Sequence, residues 1–317
     1  MSRPTIIPVD LGGSPTLCWR RPPLRSAPEP ALVSALIEHY RTERSQRGPL
    51  QVAFFHGGMP ADALLDVCEG LPVRVACSPA DLTRSEAERL WSGGVRTIEL
   101  AVGALDERVL RTCRIGVRGA VVPVMLEELK AMGLTTGVVL SPGLPDSSHQ
   151  TATDAARRLA DRALVDFVRI EPALALEGSR LAELARSGRW LPMSLAEAVT
   201  TTLQMVEIFE DAGVEIARLG LQPGQDIPVR AAAGPLHPNL RQLVEVRRFY
   251  ARMAHELSLV PRGSTVELQV NPRDLSWAKG TANANVRALR AECALLSLRI
   301  CTDETIPRGD VRLSRVG

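Results

Sequence analysis

Lysine is nearly missing from this chain of 317 residues: Lys130 and Lys279 are the only two among 38 basic side chains. A GC-rich coding sequence explains such an arginine excess without invoking function. Aromatic residues make up only 3% of the sequence, so basic stretches interleaved with stacking rings, a feature of many single-strand binders, are absent. No apolar run approaches the roughly 18 residues that a membrane-spanning helix requires. The start, Met1-Ser2-Arg3-Pro4-Thr5, has no long apolar core behind a basic end, so no secretory signal is read. The expected setting is cytoplasmic, with no membrane contact. Six cysteines (Cys18, Cys68, Cys77, Cys113, Cys293, Cys301) are scattered with no C-x-x-C pair, and disulfides are not expected. No Ser-His-Asp order, Walker loop, H-E-x-x-H or paired-carboxylate signature occurs.

What is present is a regular alternation. Apolar, Val/Ile/Leu-rich runs end near Leu11, Phe55, Cys77, Val102, Leu140, Ile170, Leu221 and Val270, and amphipathic stretches lie between them at 31–46, 61–68, 121–132, 148–163, 195–212 and 240–257. Strands of that composition separated by helices predict an α/β protein with a parallel sheet covered by helices. Ser194 with Glu197 predicts a capping box opening the helix that Gly213 ends. The segments 297–302 and 310–314 read as short strands extending the sheet edge. Asp274, after Asn271-Pro272-Arg273, reads as the cap of the turn that follows.

Residues 215–317 hold 15 basic and 10 acidic side chains, a balance of +5, against −3 for the remainder. Such a region could favour a polyanion such as RNA. Without a basic run or aromatic interleaving, a mixed solvated surface is the simpler reading.

Several motifs occur in a fixed order. The loop of residues 8–21, Pro-Val-Asp-Leu-Gly-Gly-Ser-Pro-Thr-Leu-Cys-Trp-Arg-Arg, follows the first apolar run. His56-Gly57-Gly58 follows the second. Further on come Thr97-Ile98-Glu99-Leu100-Ala101-Val102 and Ser141-Pro142-Gly143-Leu144-Pro145. Arg218-Leu219-Gly220-Leu221-Gln222-Pro223, Ala233-Gly234-Pro235-Leu236-His237-Pro238 and Asn271-Pro272-Arg273-Asp274-Leu275-Ser276 close the series. Together these resemble the radical S-adenosylmethionine (SAM) proteins related to the Elongator catalytic subunit, without its acetyltransferase domain. The resemblance implies an incomplete parallel β/α (TIM-like) barrel over residues 1–166 and an Elongator-like C-terminal α/β extension over 167–317.

In that family the loop after the first strand carries C-x3-C-x2-C, whose thiolates hold a 4Fe–4S cluster. At that spacing this chain has Ser14, Cys18 and Arg21. A serine hydroxyl is a poor iron ligand, and an arginine has no lone pair to give. No 4Fe–4S cluster is therefore expected, and SAM binding, which leans on the open iron, is expected to be weak or lost. The resemblance places Gly57 and Gly58 at the turn that receives SAM, where missing side chains let the backbone approach a ligand. It also offers Glu171, Gln222 and His237 as ligand contacts. Glu171 could instead pair with Arg169 or Arg218, and His237 could hydrogen-bond a neighbouring loop. Cys18, His56 and Cys77 would share one rim and could form a Cys2His zinc site. Two small buried cysteines and a turn histidine are the plainer reading. The expected function is a binding or partner protein that has left radical chemistry, with RNA, a nucleotide or an active homologue as partner. The alternative is a SAM-dependent, RNA-modifying enzyme with a non-standard metal site.

Overall fold

A computed structural model describes residues 4–11, 27–44, 49–55, 58–221 and 230–317. The chain divides into two compact units, 1–238 and 239–317.

The first unit is built on seven strands: β1 (Thr5–Asp10), β2 (Leu50–Phe55), β3 (Val73–Cys77), β4 (Val95–Gly103), β5 (Thr135–Leu140), β6 (Phe167–Ile170) and β8 (Glu215–Leu219). They pair in parallel in the order β1-β2-β3-β4-β5-β6-β8. The order never reverses. A doubly wound sheet reverses direction and carries helices on both faces; one continuous progression with right-handed crossovers puts all the helices on one face and curls the sheet. Here the result is a curled half-barrel. A short antiparallel pair, β7 (Ala175–Leu176) with β9 (Ala231–Ala233), is the only other sheet of this unit among the described residues.

Residue alternation separates the two faces. Val52, Phe54, Val73, Val75, Ile98, Leu100, Val138, Leu140, Val168 and Ile170 are buried on the convex side and form the apolar core with the helices. The expected capping box is present: Ser194 Oγ accepts from the Glu197 amide while the Glu197 carboxylate accepts from the Ser194 amide, opening the helix Leu195–Asp211. Gly213, at φ +74°, ends it. Pro30 takes the first position of the helix Pro30–Arg44, where its missing N–H costs nothing. No described helix is long and apolar enough to cross a membrane.

The second unit is the helix Leu240–Leu257, β10 (Thr265–Val270), two short helices Leu275–Lys279 and Ala284–Glu292, β11 (Ser297–Thr302) and β12 (Val311–Val316). These strands do not extend the first sheet, as the sequence pattern suggested. They form a sheet of their own in the order β11-β10-β12, with β10–β11 parallel and β10–β12 antiparallel. Alternating apolar residues specify which face of a strand is buried, not which strand it joins. Val266, Leu268, Val270, Leu298 and Ile300 pack on Phe249, Met253, Ala278 and Leu289.

Asp274 also corrects the sequence reading. It stands at the start of the helix Leu275–Lys279 but its side chain makes no capping bond, while Asn271 caps the preceding turn Pro272–Asp274, accepting from the Arg273 amide at 3.1 Å. Asp274 is fully buried and accepts from Arg308 Nε at 2.5 Å and from the Gly309 amide at 2.7 Å. It fastens the β11–β12 connection to the start of the helix pair. Asp274→Ala leaves the Gly309 donor unpaired and should cost about 2–3 kcal/mol, the range for a hydrogen bond to a charged group. Asn271→Ala should cost about 1 kcal/mol as a lost cap. Urea unfolding midpoints of the two variants check the order.

Candidate functional site

The concave face of the half-barrel is polar where the convex face is not. Gln51 on β2, Arg74 on β3, Thr97 and Glu99 on β4, Arg169 on β6 and Arg218 on β8 stand at alternating positions among buried aliphatic neighbours. Gln51 Nε2 donates to Thr97 Oγ1 at 3.3 Å, reaching past β3. Side chains meet across an intervening strand because curling crowds the concave face.

Glu99 sits at the centre, with no side-chain exposure; Arg74 is 13% and Arg169 9% exposed. Arg74 Nε donates to Glu99 Oε2 at 3.0 Å, supported by a second bond from Nη2. Arg169 Nη1 donates to Glu99 Oε1 at 3.0 Å from the other side. The second arm of Arg169 bonds Glu171, which lies just past the end of β6. Arg169 reaches Glu99 across β5 because the intervening residue is Gly137, paired in register with both Glu99 and Phe167. A Cβ on Gly137 would lie 2.1 Å from the Phe167 ring. That ring in turn lies under the Arg74 guanidinium, 4.3 Å from its centre. One missing side chain thus lets a ring and an ion pair share one layer.

The electrostatics follow from burial. Desolvation pushes the Glu171 carboxyl up, only partly offset by Arg169. Burial works against the charged form of Arg169, but the Glu99 and Glu171 carboxylates outweigh it and hold its pKa above the ordinary value. Arg218, beside Arg169 in register, is pulled down by burial and by that guanidinium. The three guanidinia surround Glu99 and Glu171, and Asp10, in register with Phe55 at the end of β1, adds a third carboxylate to the same face. The buried polar atoms without a partner among the described residues include Arg169 Nε and the hydroxyl of Ser141, just past β5. In register Ser141 neighbours Glu171, at the strand ends where barrels of this kind place their sites. The arrangement can orient and neutralise an anion or accept a polar ligand. Among the described residues it holds no exposed base and no activated nucleophile.

Of the residues expected at the site, Glu171 is buried and bonded to Arg169, the simpler of its two readings. Gly58 adopts φ +88° with open space where a side chain would stand. His237 is half-buried after β9. Cys77 is buried at the end of β3, where alternation groups it with Val73 and Val75, opposite Arg74. Burial pushes its thiol far up, and raises Cys68 to about 11 and Cys113 to about 12. Cys18, His56, Gly57 and Gln222, with most of the loop 8–21, lie outside the described residues. The Arg74–Glu99–Arg169 clamp was not read from the sequence. Its signal was a single charge inside each of three apolar strands, Val73-Arg74-Val75, Ile98-Glu99-Leu100 and Val168-Arg169-Ile170.

The radical SAM C-terminal domain family matches residues 165–251. The tRNA uridine(34) acetyltransferase of Methanocaldococcus infernus is 27% identical over 125 residues, 38% of this chain and 23% of that protein. The archaeal Elp3 of the same organism, without its first 46 residues, superposes with a TM-score of 0.60 at 18% identity, over 77% of this chain and 62% of that one. The chain thus matches that domain family over residues 165–251 and shares the fold of the archaeal Elp3. The coproporphyrinogen III oxidase HemN of Escherichia coli, a radical SAM enzyme, aligns at 12% identity and a TM-score of 0.47, over 67% of this chain and 54% of that chain. The matched chain thus spans under a quarter of the curated Elongator relative and under two thirds of the archaeal Elp3 structure.

Removing one member of a buried ion pair strands its partners without solvent, at about 3–5 kcal/mol. Glu99→Gln, nearly isosteric, should fall in that range and lower the thermal midpoint. Exposed-pair variants such as Arg157→Gln, facing Asp154, should shift it by about 0–1 kcal/mol. Calorimetry of both distinguishes a clamp from a decorative charge pair.

Proposed function

We propose that this Elongator-related chain has left radical chemistry and works as a cytoplasmic binding or partner protein, with RNA or a nucleotide as ligand. The observation that carries this reading is the donor set: at the cluster-binding spacing, one thiol is accompanied by a hydroxyl and a guanidinium, at Ser14, Cys18 and Arg21. That set does not fit a 4Fe–4S cluster, whose irons need thiolates. Among the described residues no three His, Cys, Asp or Glu side chains stand close enough to hold a metal. A replacement set, the Cys18–His56–Cys77 zinc site included, would need residues outside them.

The ligand half of the reading draws on the concave face. Its buried guanidinia, the unpartnered Ser141 hydroxyl and Arg169 Nε, and the open turn at Gly58 are what an anionic or nucleotide ligand would use. SAM would have to bind through such contacts alone, so its affinity is expected to be low. The C-terminal cationic excess speaks for a polyanion rather than a small neutral ligand.

The test is metal and sulfide analysis after anaerobic purification and attempted reconstitution. The expected result is an iron-free, colourless protein. A brown protein with about four irons per chain would overturn the reading in favour of an active SAM enzyme. Stoichiometric zinc that disappears in Cys18→Ala would instead support the Cys2His site. Copurification of an iron-free chain with a three-cysteine homologue would assign the partner role.

A further inference from the structure

The family match ends at residue 251, so most of the C-terminal unit lies beyond it. Within that unit, β10, the helix Leu275–Lys279, a tight loop, the helix Ala284–Glu292 and β11 form a β-α-α-β unit whose strands pair in parallel. The loop between the helices reads Gly280-Thr281-Ala282-Asn283. In KH modules a G-x-x-G loop joins two such helices and clamps the sugar–phosphate backbone of about four nucleotides. Here the second glycine is replaced by Asn283, the residue after glycine that best tolerates the left-handed conformation. It adopts that conformation, at φ 58° and ψ 33°. Gly280 stands at φ 68°, and a Cβ there would press within 3.3 Å of Asn285.

The loop is held rigid from beneath. The side-chain amide of buried Asn285 donates to the carbonyls of Val246 at 2.9 Å, Ala278 at 3.1 Å and Trp277 at 3.3 Å, tying both short helices to the long one. Arg287 reaches back to the Ala282 carbonyl. Thr281, Ala282 and Asn283 stay exposed at the tip. Both short helices pack on β11, the edge strand of its sheet. Lys279 and Arg299 both act on the thiol of Cys301, which places the end of the first helix beside β11.

Charge is segregated in the same unit. Residues 239–317 hold 13 basic and 8 acidic side chains, +5, while residues 1–238 hold 25 and 28, −3. Glu245 and Asp274 are buried and paired with Arg248 and Arg308; each pair cancels, so the remaining side chains still carry +5. Scarcity of aromatics does not count against this site, because a loop that grips phosphates needs no stacking rings.

We propose that residues 239–317 form a KH-like clamp for single-stranded RNA. The Gly280-Thr281-Ala282-Asn283 loop would grip the backbone, with Lys279 and Arg299 flanking the strand along β11. This deepens the ligand named under the proposed function, but it does not depend on whether a cluster is bound.

The probe is a fluorescein-labelled, mixed-sequence single-stranded RNA decamer, with the full chain titrated in and anisotropy read at several salt concentrations. Binding should weaken with salt at a log–log slope of about −2, as three phosphate contacts on a single strand predict. The Thr281→Asp/Ala282→Asp double variant puts two negative charges where the phosphates would lie and should weaken binding about tenfold or more. Both positions are exposed, and aspartate tolerates the Ala282 backbone, so the melting curve should match the parent. Arg262→Asp makes the same change in net charge at the opposite end of the helix Ala284–Glu292, beside Ala294, and should leave affinity unchanged. The proposal is overturned if the loop variant binds like the parent, if Arg262→Asp loses as much, or if a duplex of the same sequence binds as tightly. RNA binding at this loop by an iron-loaded protein would keep this inference while removing the cluster-free reading.

Discussion

The carboxylate of Glu99 lies in the sheet interior, where no water compensates its charge. Desolvating such a group costs several kcal/mol, recovered only when oppositely charged donors saturate its oxygens with good geometry. Arg74 and Arg169 do so from opposite sides, one from the adjacent strand and one from two strands away. In a flat sheet, strands two places apart lie roughly 9.5 Å from each other. The curl brings their concave-face side chains together, and the bare backbone of Gly137 clears the path between them. Curvature makes the clamp possible, and the clamp penalises any flattening that would separate β4 from β6. Phe167, stacked beneath Arg74 in the space Gly137 leaves, belongs to the same layer.

The C-terminal unit reaches rigidity differently. Its fixed point is an amide rather than a charge: Asn285 donates to the carbonyls of Trp277 and Ala278 at the end of one helix and of Val246 within another. Asp274 does the corresponding work at the other side of the helix pair, holding the segment at Arg308 and Gly309. In both units a buried polar residue holds backbone or charge in a geometry the apolar core alone would not specify.

What the sequence disclosed followed the range of each interaction. The helix Leu240–Leu257 was legible to its ends, and the capping box at Ser194 and Glu197 likewise, because both are local patterns. The helices Arg84–Ser92, Glu107–Thr112 and Arg180–Arg186 span too few turns to show a periodicity and were not anticipated. Resemblance supplied the half-barrel, which periodicity could only narrow to an α/β protein. Asp274 looked like a cap because its neighbours in sequence suit one, yet its partner Arg308 lies 34 residues away. The strands β11 and β12 were found but assigned to the wrong sheet, since strand pairing is a tertiary choice. At the candidate site, Glu171 and its bond to Arg169 were among the alternatives read. The convergence of Arg74 and Arg169 on Glu99 was not, for each is visible only as an isolated charge in an apolar strand.

The clamp also bears on how an Elongator-related fold could lose its metal ligands and persist. A cluster held by the loop after β1 would lie at the strand ends, outside the layer in which Arg74, Glu99, Phe167 and Arg169 close the concave face. The described interactions that maintain the curl run between β3, β4 and β6 and draw on no cysteine. On the proposed reading, Ser14 and Arg21 at the ligand positions take away a chemical capacity and leave these described interactions in place. The same separation applies to residues 239–317, whose core and helix-pair loop are assembled from their own side chains. On the proposed reading, selection could release the first site while retaining the second, and a fold built for radical chemistry would continue as a platform for binding.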